Sequence, residues 1–359
     1  MKKISKLIVY VLLFVFLFCS YVMASDTESE ECKEDYIIEL DDGGKEYVYT
    51  IDGNKVHFMI PPDDFDPVNA SDEELKRYCF PERPDDKEEL KQWNEIMRNY
   101  QKTSVPELKL HKKQRTKKKA LDYVYGTYRV FPALTSVNWS GYIIGANTPV
   151  SEMYSQVQMN YIQPSVASTI EECVNSYWIG SGGYKERKLV QAGTATEILE
   201  GICRHYAWYQ CISSVDENTH MVEISNFSIN AGDSIHVYIS FEKENNRFTY
   251  YIANNTTGKS VGCCIDELNA NYYYDGSTAE WIIERCNNSS SRQYTSLANY
   301  GNITPSLCQY KRTNIAGWNN ISSASDITPI RMVNNNNVLS TPSSIFGGSC
   351  FTCTWKGYK

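Results

Sequence analysis

Two glutamates stand four residues apart in a segment that has the composition of a buried strand, STAEWIIERC at residues 277–286. Successive side chains on a strand point to opposite faces, so Glu280 and Glu284 share one face with Ile282. Four residues of strand span about 13 Å, which is too far for a proton-sharing pair of the aspartic-protease kind. Either both glutamates lie on the solvent face of an antiparallel sheet, or one works with a partner elsewhere in the chain.

The first 24 residues have the pattern of a secretory signal. Three lysines precede an apolar run that starts at Leu7, and Ala24 offers a small residue at a cleavage site. An uncleaved anchor helix is the alternative, but the run is short for a membrane span. We therefore expect a secreted, extracellular protein with no stable membrane association once the signal peptide 1–24 is removed.

Charge divides the rest of the chain into three sections. Residues 25–108 hold 24 of the 43 Asp and Glu residues and only ten Lys and Arg, whereas residues 109–120 hold seven basic residues. A basic run can be a nucleic-acid or membrane patch, but between two modules of a secreted chain it favours an exposed processing linker. The interpretation is a zymogen with an acidic propeptide (25–108), a basic processing linker (109–130) and a catalytic domain (131–359), without a nucleic-acid partner.

The acidic section has a foldable pattern of its own. The runs EYVYTID and KVHFMIP alternate like the two strands of a hairpin around Asp52-Gly53. Residues 85–100 predict a helix, because Leu90, Trp93 and Met97 recur at helical spacing. The section therefore predicts a small α+β propeptide.

Nine of the twelve cysteines follow Ala120. The odd number leaves a thiol unpaired in that section unless it pairs with another chain or with the propeptide, and secretion permits disulfides. Zinc would need a second closely spaced ligand pair beside Cys350 and Cys353, and the five histidines are not clustered. We interpret the cysteines as structural, with their pairing open, and expect no metal and no cofactor.

From Val137 onward the sequence consists of many short alternating runs separated by turn residues, with no clear helical period. This pattern predicts an all-β fold, either a sandwich or a barrel. Runs such as YAWYQCI and NSYWIGSG place large aromatic residues beside polar ones. They suit a groove for a chain-like ligand, peptide or sugar polymer, although aromatic residues also simply pack in strands.

Seven short blocks occur in order along this section. They are NWSGY (138–142), YWIGSGG (177–183), LVQAG (189–193), YAWYQ (206–210), AGDSI (231–235), NNTTGKS (254–260) and STAEWIIE (277–284). Together they resemble the glutamic peptidases, or eqolisins, over nearly the whole chain from Asn138. The later LANYGNIT and SSIFGGSCFTCTWK look like bacterial-type members more than fungal ones.

The resemblance implies a two-sheet antiparallel β-sandwich of the concanavalin-like jelly-roll type. It also implies a secreted, acid-active endopeptidase made with a propeptide. Carried over by motif, its catalytic Gln is Gln191 and its catalytic Glu is the second glutamate of AEWIIE, Glu284, with Glu280 as a companion on the same face. An ionised carboxylate can take a proton from water, and a carboxamide N–H can stabilise the tetrahedral oxyanion.

The implied partners are polypeptide substrates and the chain's own propeptide as inhibitor, and we expect a monomer. Four further residues are expected to bind substrate: Trp139, Trp178, Trp208 and Gln210.

The chain departs from the family pattern at positions that are usually acidic, namely Gly182, Ala195, Tyr206 and Gln210. Fewer neighbouring carboxylates mean less like-charge repulsion on the catalytic glutamate, and we expect a pH optimum less acidic than that of the fungal enzymes. The alternative hypothesis is a non-enzymatic β-sandwich, an inactive relative or lectin-like module that binds extended peptide or polysaccharide. Only a peptidase requires Gln191 and Glu284 to face each other across a water.

Overall fold

The computed structural model describes residues 29–112, 134–146, 153–167, 172–184, 188–212, 219–266, 276–287, 294–313 and 315–358. Two large β-sheets pack face to face, as the resemblance implies. The predicted signal peptide 1–24 lies outside the described residues. Among the helices that the structure does describe, none combines the length and apolarity needed to cross a membrane.

The larger sheet, here called the front sheet, has 13 strands in the described part of the chain. From one edge to the other they are β1 (Ser29–Cys32), β6 (Leu108–Lys112), β13 (His220–Ile224), β12 (Ile202–Ile212), β11 (Leu189–Leu199), β10 (Cys173–Gly182), β17 (Ala279–Arg285), β8 (Trp139–Ile144), β21 (Ile327–Asn334), β22 (Asn337–Pro342), β23 (Cys353–Trp355) and β18 (Asn302–Ile303), with β7 (Leu134–Ser136) beside β21.

The second sheet, here called the back sheet, has ten strands in the same described ranges. In spatial order they are β2 (Tyr36–Glu39), β3 (Lys45–Ile51), β4 (Asn54–Ile60), β16 (Lys259–Ile265), β15 (Arg247–Asn254), β14 (Ser234–Glu242), β9 (Tyr154–Ile162), β19 (Ser306–Arg312) and β20 (Ile315–Asn320), with β5 (Lys102–Thr103) beside β16. Strand pairing is antiparallel except at β5–β16 and β7–β21.

The main hydrophobic core lies between the two sheets, and strand alternation decides which side chains enter it. On β17, Ala279, Trp281 and Ile283 belong to this core. Glu280 and Glu284 therefore point to the outer face of the front sheet. On β11 the core residues are Val190 and Ala192, which places Gln191 on that same outer face.

The predicted elements of the acidic section are present. The hairpin is β3–β4, and Asp52 and Gly53 at its turn both have positive φ, 51° and 75°. The predicted helix is α2 (Lys87–Met97), whose first turn is capped by Asp86. A shorter helix, α1 (Asp72–Arg77), precedes it, and a single 3₁₀ turn covers Ile321–Ser323.

The acidic section is built into the sandwich. Its strand β4 pairs with β16 of the back sheet, and β6 pairs with β13 of the front sheet. Phe58 and Leu108 are 0% and 3% exposed within the main core. Residues Lys109–Lys112, the start of the predicted linker, thus form most of β6, and the linker beyond them, up to residue 130, lies outside the described residues.

Candidate active site

One row of residues crosses four neighbouring strands of the front sheet. Gln210 on β12 is the Cα partner of Gln191 on β11, which pairs with Gly180 on β10, which pairs with Glu280 on β17. Two strand spacings separate the Cα atoms of Gln191 and Glu280, about 10 Å. Gly180 has no side chain, and the atoms nearest the position of a β-carbon there are Trp178 Cζ3 at 2.7 Å and Leu189 Cδ1 at 3.0 Å.

The structure does not bring Gln191 and Glu284 together. Glu284 pairs with Ser176, four residues along β10 from Gly180, so its Cα lies about 16 Å from that of Gln191 by strand geometry. Its carboxylate accepts hydrogen bonds from Asn138 Nδ2 at 2.9 Å and Trp178 Nε1 at 3.0 Å. The register of β10 and β17 thus places Glu280, and not Glu284, in the row of Gln191, and the assignment of Glu284 as the catalytic glutamate stays a prediction.

Trp178 lies between the two glutamates. Its Nε1 is bonded to Glu284, whereas its Cζ3 lies 2.7 Å from the position that a β-carbon on Gly180 would occupy. The indole therefore extends along β10 from Glu284 to the edge of the Gln191–Glu280 row. Trp178 is fully buried and packs edge-on against Trp139, with 5.2 Å between ring centroids. Its indole ring therefore forms part of the wall of the site and is not exposed in this structure.

A chain of two hydrogen bonds orients the carboxamide of Gln191. Gln210 Nε2 donates to the carbonyl of Thr219 at 3.2 Å, which turns Gln210 Oε1 toward Gln191 Nε2, 3.0 Å away. Gln191 keeps a second N–H, and its Oε1 has no hydrogen-bond partner among the described residues. Gln210 is predicted to bind substrate, and that role stays a prediction; in the described residues its carboxamide contacts Gln191 and Thr219.

Trp139 and Trp208 lie on the same outer face, on β8 and β12. Trp208 is 2% exposed and Trp139 is half-buried, and neither indole N–H has a hydrogen-bond partner within the described part of the chain. Buried donors of this kind normally find an acceptor. The two tryptophans are thus the predicted binding residues whose donors remain available.

At the edge of this face lies an ionic cluster that the sequence did not reveal. Glu223 on β13 accepts from His111 Nε2 at 2.7 Å and from Arg204 Nη1 at 2.5 Å. Burial alone would raise the pKa of Glu223, but these hydrogen bonds lower it to about 2. Arg204 also lies 4.4 Å over the ring of Tyr206, and His111 stacks near the same ring. The sequence placed Glu223 within a predicted strand, but it did not indicate that His111 on β6 and Arg204 on β12 are its partners.

The positions that depart from the family pattern make this face apolar. Ala195 and Tyr206 are cross-strand partners in one buried cluster with Trp178 and Trp208. Gly182 ends β10 with φ of 82°, a conformation that favours glycine. The front face thus has few carboxylates near Glu280, and the expected shift of the pH optimum stays a prediction.

The two-sheet sandwich, together with a match to a family model, defines a hydrolase of the glutamic endopeptidase class. The model of the Peptidase A4 family matches residues 137–355. The chain belongs to that family. No curated protein sequence matches the chain.

Solved structures agree on the fold. Scytalido-glutamic peptidase, in a complex with a transition-state analogue inhibitor, is 19% identical with a TM-score of 0.50, and the match covers 61% of this chain and 98% of that one. A second similar structure is aspergilloglutamic peptidase from Aspergillus niger, 23% identical with a TM-score of 0.43, covering 51% and 99% of the two chains. A third, SCP-B of the eqolisins with the tripeptide Ala-Ile-His, is 19% identical with a TM-score of 0.48 and covers 61% and 98%.

Proposed function

We propose that the protein is a secreted glutamic endopeptidase in which Glu280 and Gln191 act on a bound water. One observation carries this assignment: Gln191, Gly180 and Glu280 occupy adjacent positions in a single row on one face of the front sheet. The motif gives the catalytic role to Glu284, which lies in another row. The experiment below therefore compares the two glutamates.

The chemistry follows from the two functional groups. The ionised Glu280 takes a proton from the water, whose oxygen adds to the carbonyl carbon of the scissile peptide bond. The carbonyl oxygen becomes an oxyanion, which the second N–H of Gln191 stabilises. Glu280 then returns the proton to the leaving nitrogen as the C–N bond breaks. The reaction requires Glu280 in its ionised form, so the rate should fall when acid protonates this carboxylate.

The substrate class is polypeptide, and the front face offers groups that suit an extended chain. The indole N–H groups of Trp139 and Trp208 are donors that peptide carbonyls can accept. A similar structure, SCP-B, was solved with a tripeptide, which agrees with this choice. Trp178 and Gln210 position Glu284 and Gln191, respectively.

The proposal includes synthesis as a secreted, monomeric zymogen. Gln191 and Glu280 are 1% and 0% exposed, so a polypeptide cannot reach them in this form of the chain. Such burial supports a precursor that is inhibited by its own N-terminal part. Cleavage within the basic linker 109–130 is the step that we propose to activate it.

The test measures hydrolysis of denatured casein by the processed protein between pH about 2 and 7, the range in which glutamates titrate, with pepstatin present to silence contaminating aspartic peptidases. Gln191→Ala should lower the rate about 100- to 1000-fold, as loss of an oxyanion donor does. Glu280→Gln should lower it at least as much, since it removes the base.

Glu284→Gln is the matched control, because it makes the same change on the same face of the same strand. It should keep most of the activity once its fold is verified by thermal denaturation. A Glu280→Gln protein as active as the wild type would overturn the assignment. Loss of activity in Glu284→Gln alone would restore the pairing expected from the motif.

A further inference from the structure

Cys79 occupies a backbone position that normally selects glycine. It follows α1, where the N–H of Phe80 bonds to the carbonyl of Leu75 and the N–H of Cys79 bonds to that of Lys76. This pair of bonds is the Schellman arrangement, and its penultimate residue adopts positive φ. Cys79 has φ of 62°, which strains any residue with a β-carbon. A cysteine at this point therefore requires an explanation in its side chain.

The side chain of Cys79 packs on β16 of the sandwich. A β-carbon built on Gly262 would lie 3.0 Å from Cys79 Cβ, so the end of α1 rests directly on that strand. Cys264 is two residues further along β16 and faces the same way. Both cysteines are buried, at 0% and 1% exposure, in the cluster that joins α1 and α2 to the back sheet.

Cys79 and Cys264 lie in the same buried cluster, and both are free thiols in this structure. The guanidinium of Arg247 lies beside Cys79, with Nη2 4.0 Å from Cys79 Sγ. The neighbouring Cys79 and burial raise the pKa of the Cys264 thiol, and the Arg247 guanidinium opposes that rise. The neighbouring Cys263 belongs instead to the main core on the other side of the sheet.

We propose that Cys79 and Cys264 form a disulfide that covalently fastens the acidic section to the catalytic sandwich. The bond would settle the odd number of cysteines after Ala120, since one of those nine pairs outside that section. It would also keep the acidic section attached after cleavage within the linker 109–130. That section supplies core residues such as Phe58, so its retention preserves the fold of the processed enzyme.

The bond forms by thiol–disulfide exchange with an oxidant of the disulfide class, such as an exported dithiol oxidoreductase in its oxidised form or oxidised glutathione. One cysteine thiolate attacks a sulfur of the oxidant and expels a thiolate, giving a mixed disulfide. The second cysteine thiolate then attacks the protein sulfur and releases the other oxidant thiolate. Two electrons pass to the oxidant, and the two thiol protons end on its reduced thiols.

The experiment uses the full chain from the medium of a secreting host. The protein is denatured with iodoacetamide and without reductant, digested, and analysed by mass spectrometry. A peptide containing Cys79 linked to one containing Cys264 is expected. Alkylated Cys79 and Cys264, or a cross-link from Cys79 to a different cysteine, would refute the proposal without touching the peptidase assignment, because the cross-link does not depend on activity.

Two variants give a second measurement on a gel. After brief trypsin treatment, which cuts after the lysines and arginines of the basic linker, the two parts of the wild type should migrate together without reductant and separate with it. The two parts of the Cys264→Ala protein should separate without reductant. The two parts of the Cys263→Ala protein should stay together, because Cys263 lies on the opposite face of β16. Separation of the wild-type parts in the absence of reductant would contradict the disulfide.

Discussion

Gln210 shows how one amide side chain orients another. Its N–H bond to the carbonyl of Thr219 fixes which of its ends faces Gln191. A carboxamide that is fixed in advance stabilises an oxyanion without reorganising during the reaction. The benefit of Gln210 should therefore appear in kcat rather than in KM.

We expect Gln210→Leu to lower kcat about tenfold, less than the loss of the donor itself, with little change in KM. Gln210→Glu is the matched control, because its carboxyl group, when protonated in acid, can still accept from Gln191 Nε2 and donate to the carbonyl of Thr219. It should retain most of the activity. Steady-state kinetics on a chromogenic peptide measures both constants, and equal losses in the two variants would show that orientation is not the role of Gln210.

Gly180 is the second residue whose size matters. A β-carbon there would lie 2.7 Å from Trp178 Cζ3 and 3.0 Å from Leu189 Cδ1, and it would project into the space between Gln191 and Glu280. Gly180→Ala should therefore lower kcat/KM at least 100-fold, as misplaced catalytic groups do. Ala192→Gly, on the core side of the same sheet, is the control for a simple loss of stability. Gly201→Ala would not serve as that control, because φ of Gly201 is positive. Activity near the wild-type value in Gly180→Ala would place the reacting water elsewhere.

At the scale of elements, the acidic section behaves as part of the sandwich. Phe58 on β4 is fully buried and packs against Tyr49 and Tyr209, at centroid distances of 5.6 and 6.2 Å. Tyr209 lies on β12, next to the strand that carries Gln191. A core contact of this kind couples the stability of the two sections.

We expect Phe58→Ala to destabilise the whole molecule by about 3–5 kcal/mol, the usual cost of removing a buried phenyl ring. Thermal unfolding followed by tryptophan fluorescence should remain a single transition at a lower temperature. Ile37→Ala, in the same section but 46% exposed, should shift it little. A second transition, with the sandwich unfolding as in the wild type, would show that the acidic section is a separate domain.

Strand alternation was enough to predict most elements, but not the register that pairs them. The hairpin around Asp52-Gly53 and helix α2 follow from local patterns, and both are present. The faces of Gln191, Glu280 and Glu284 were likewise readable from a period of two. Which glutamate lies opposite Gln191 depends on how β10 and β17 align, and hydrogen bonds between strands distant in sequence decide that alignment. The pairing of β6 with β13 was not predicted for the same reason, because no local pattern in Leu108–Lys112 indicates the partner strand.

At the scale of the whole molecule, the ionic cluster around Glu223 ties β6 of the acidic section to β12 and β13 of the sandwich. His111 and Arg204 both donate to a carboxylate that is 1% exposed. The pKa of Glu223 is lowered to about 2 from an ordinary value of 4.5. A depressed carboxyl pKa stabilises the fold fully above the ordinary value, and the stabilisation is lost as the pH falls toward the folded-state value. The shift in pKa corresponds to about 3 kcal/mol of folding stability. A protein that works in mild acid keeps nearly all of this stabilisation.

Glu223→Gln should therefore be less stable than the wild type at neutral pH, and the gap in Tm between the two should narrow as the pH falls from about 4.5 to about 2. Thermal denaturation of both proteins at each pH measures that gap. Burial lowers the pKa of His236 to about 3, which destabilises the fold below the ordinary histidine pKa, but it does so in both proteins and cancels from the difference. Glu39→Gln, which removes an exposed partner of Lys45, is the control and should give a small gap at every pH. A Tm difference between the wild type and Glu223→Gln that stays constant down to the lowest pH would mean that the cluster does not hold Glu223 ionised. The two sections would then be joined by the core and the strand hydrogen bonds alone.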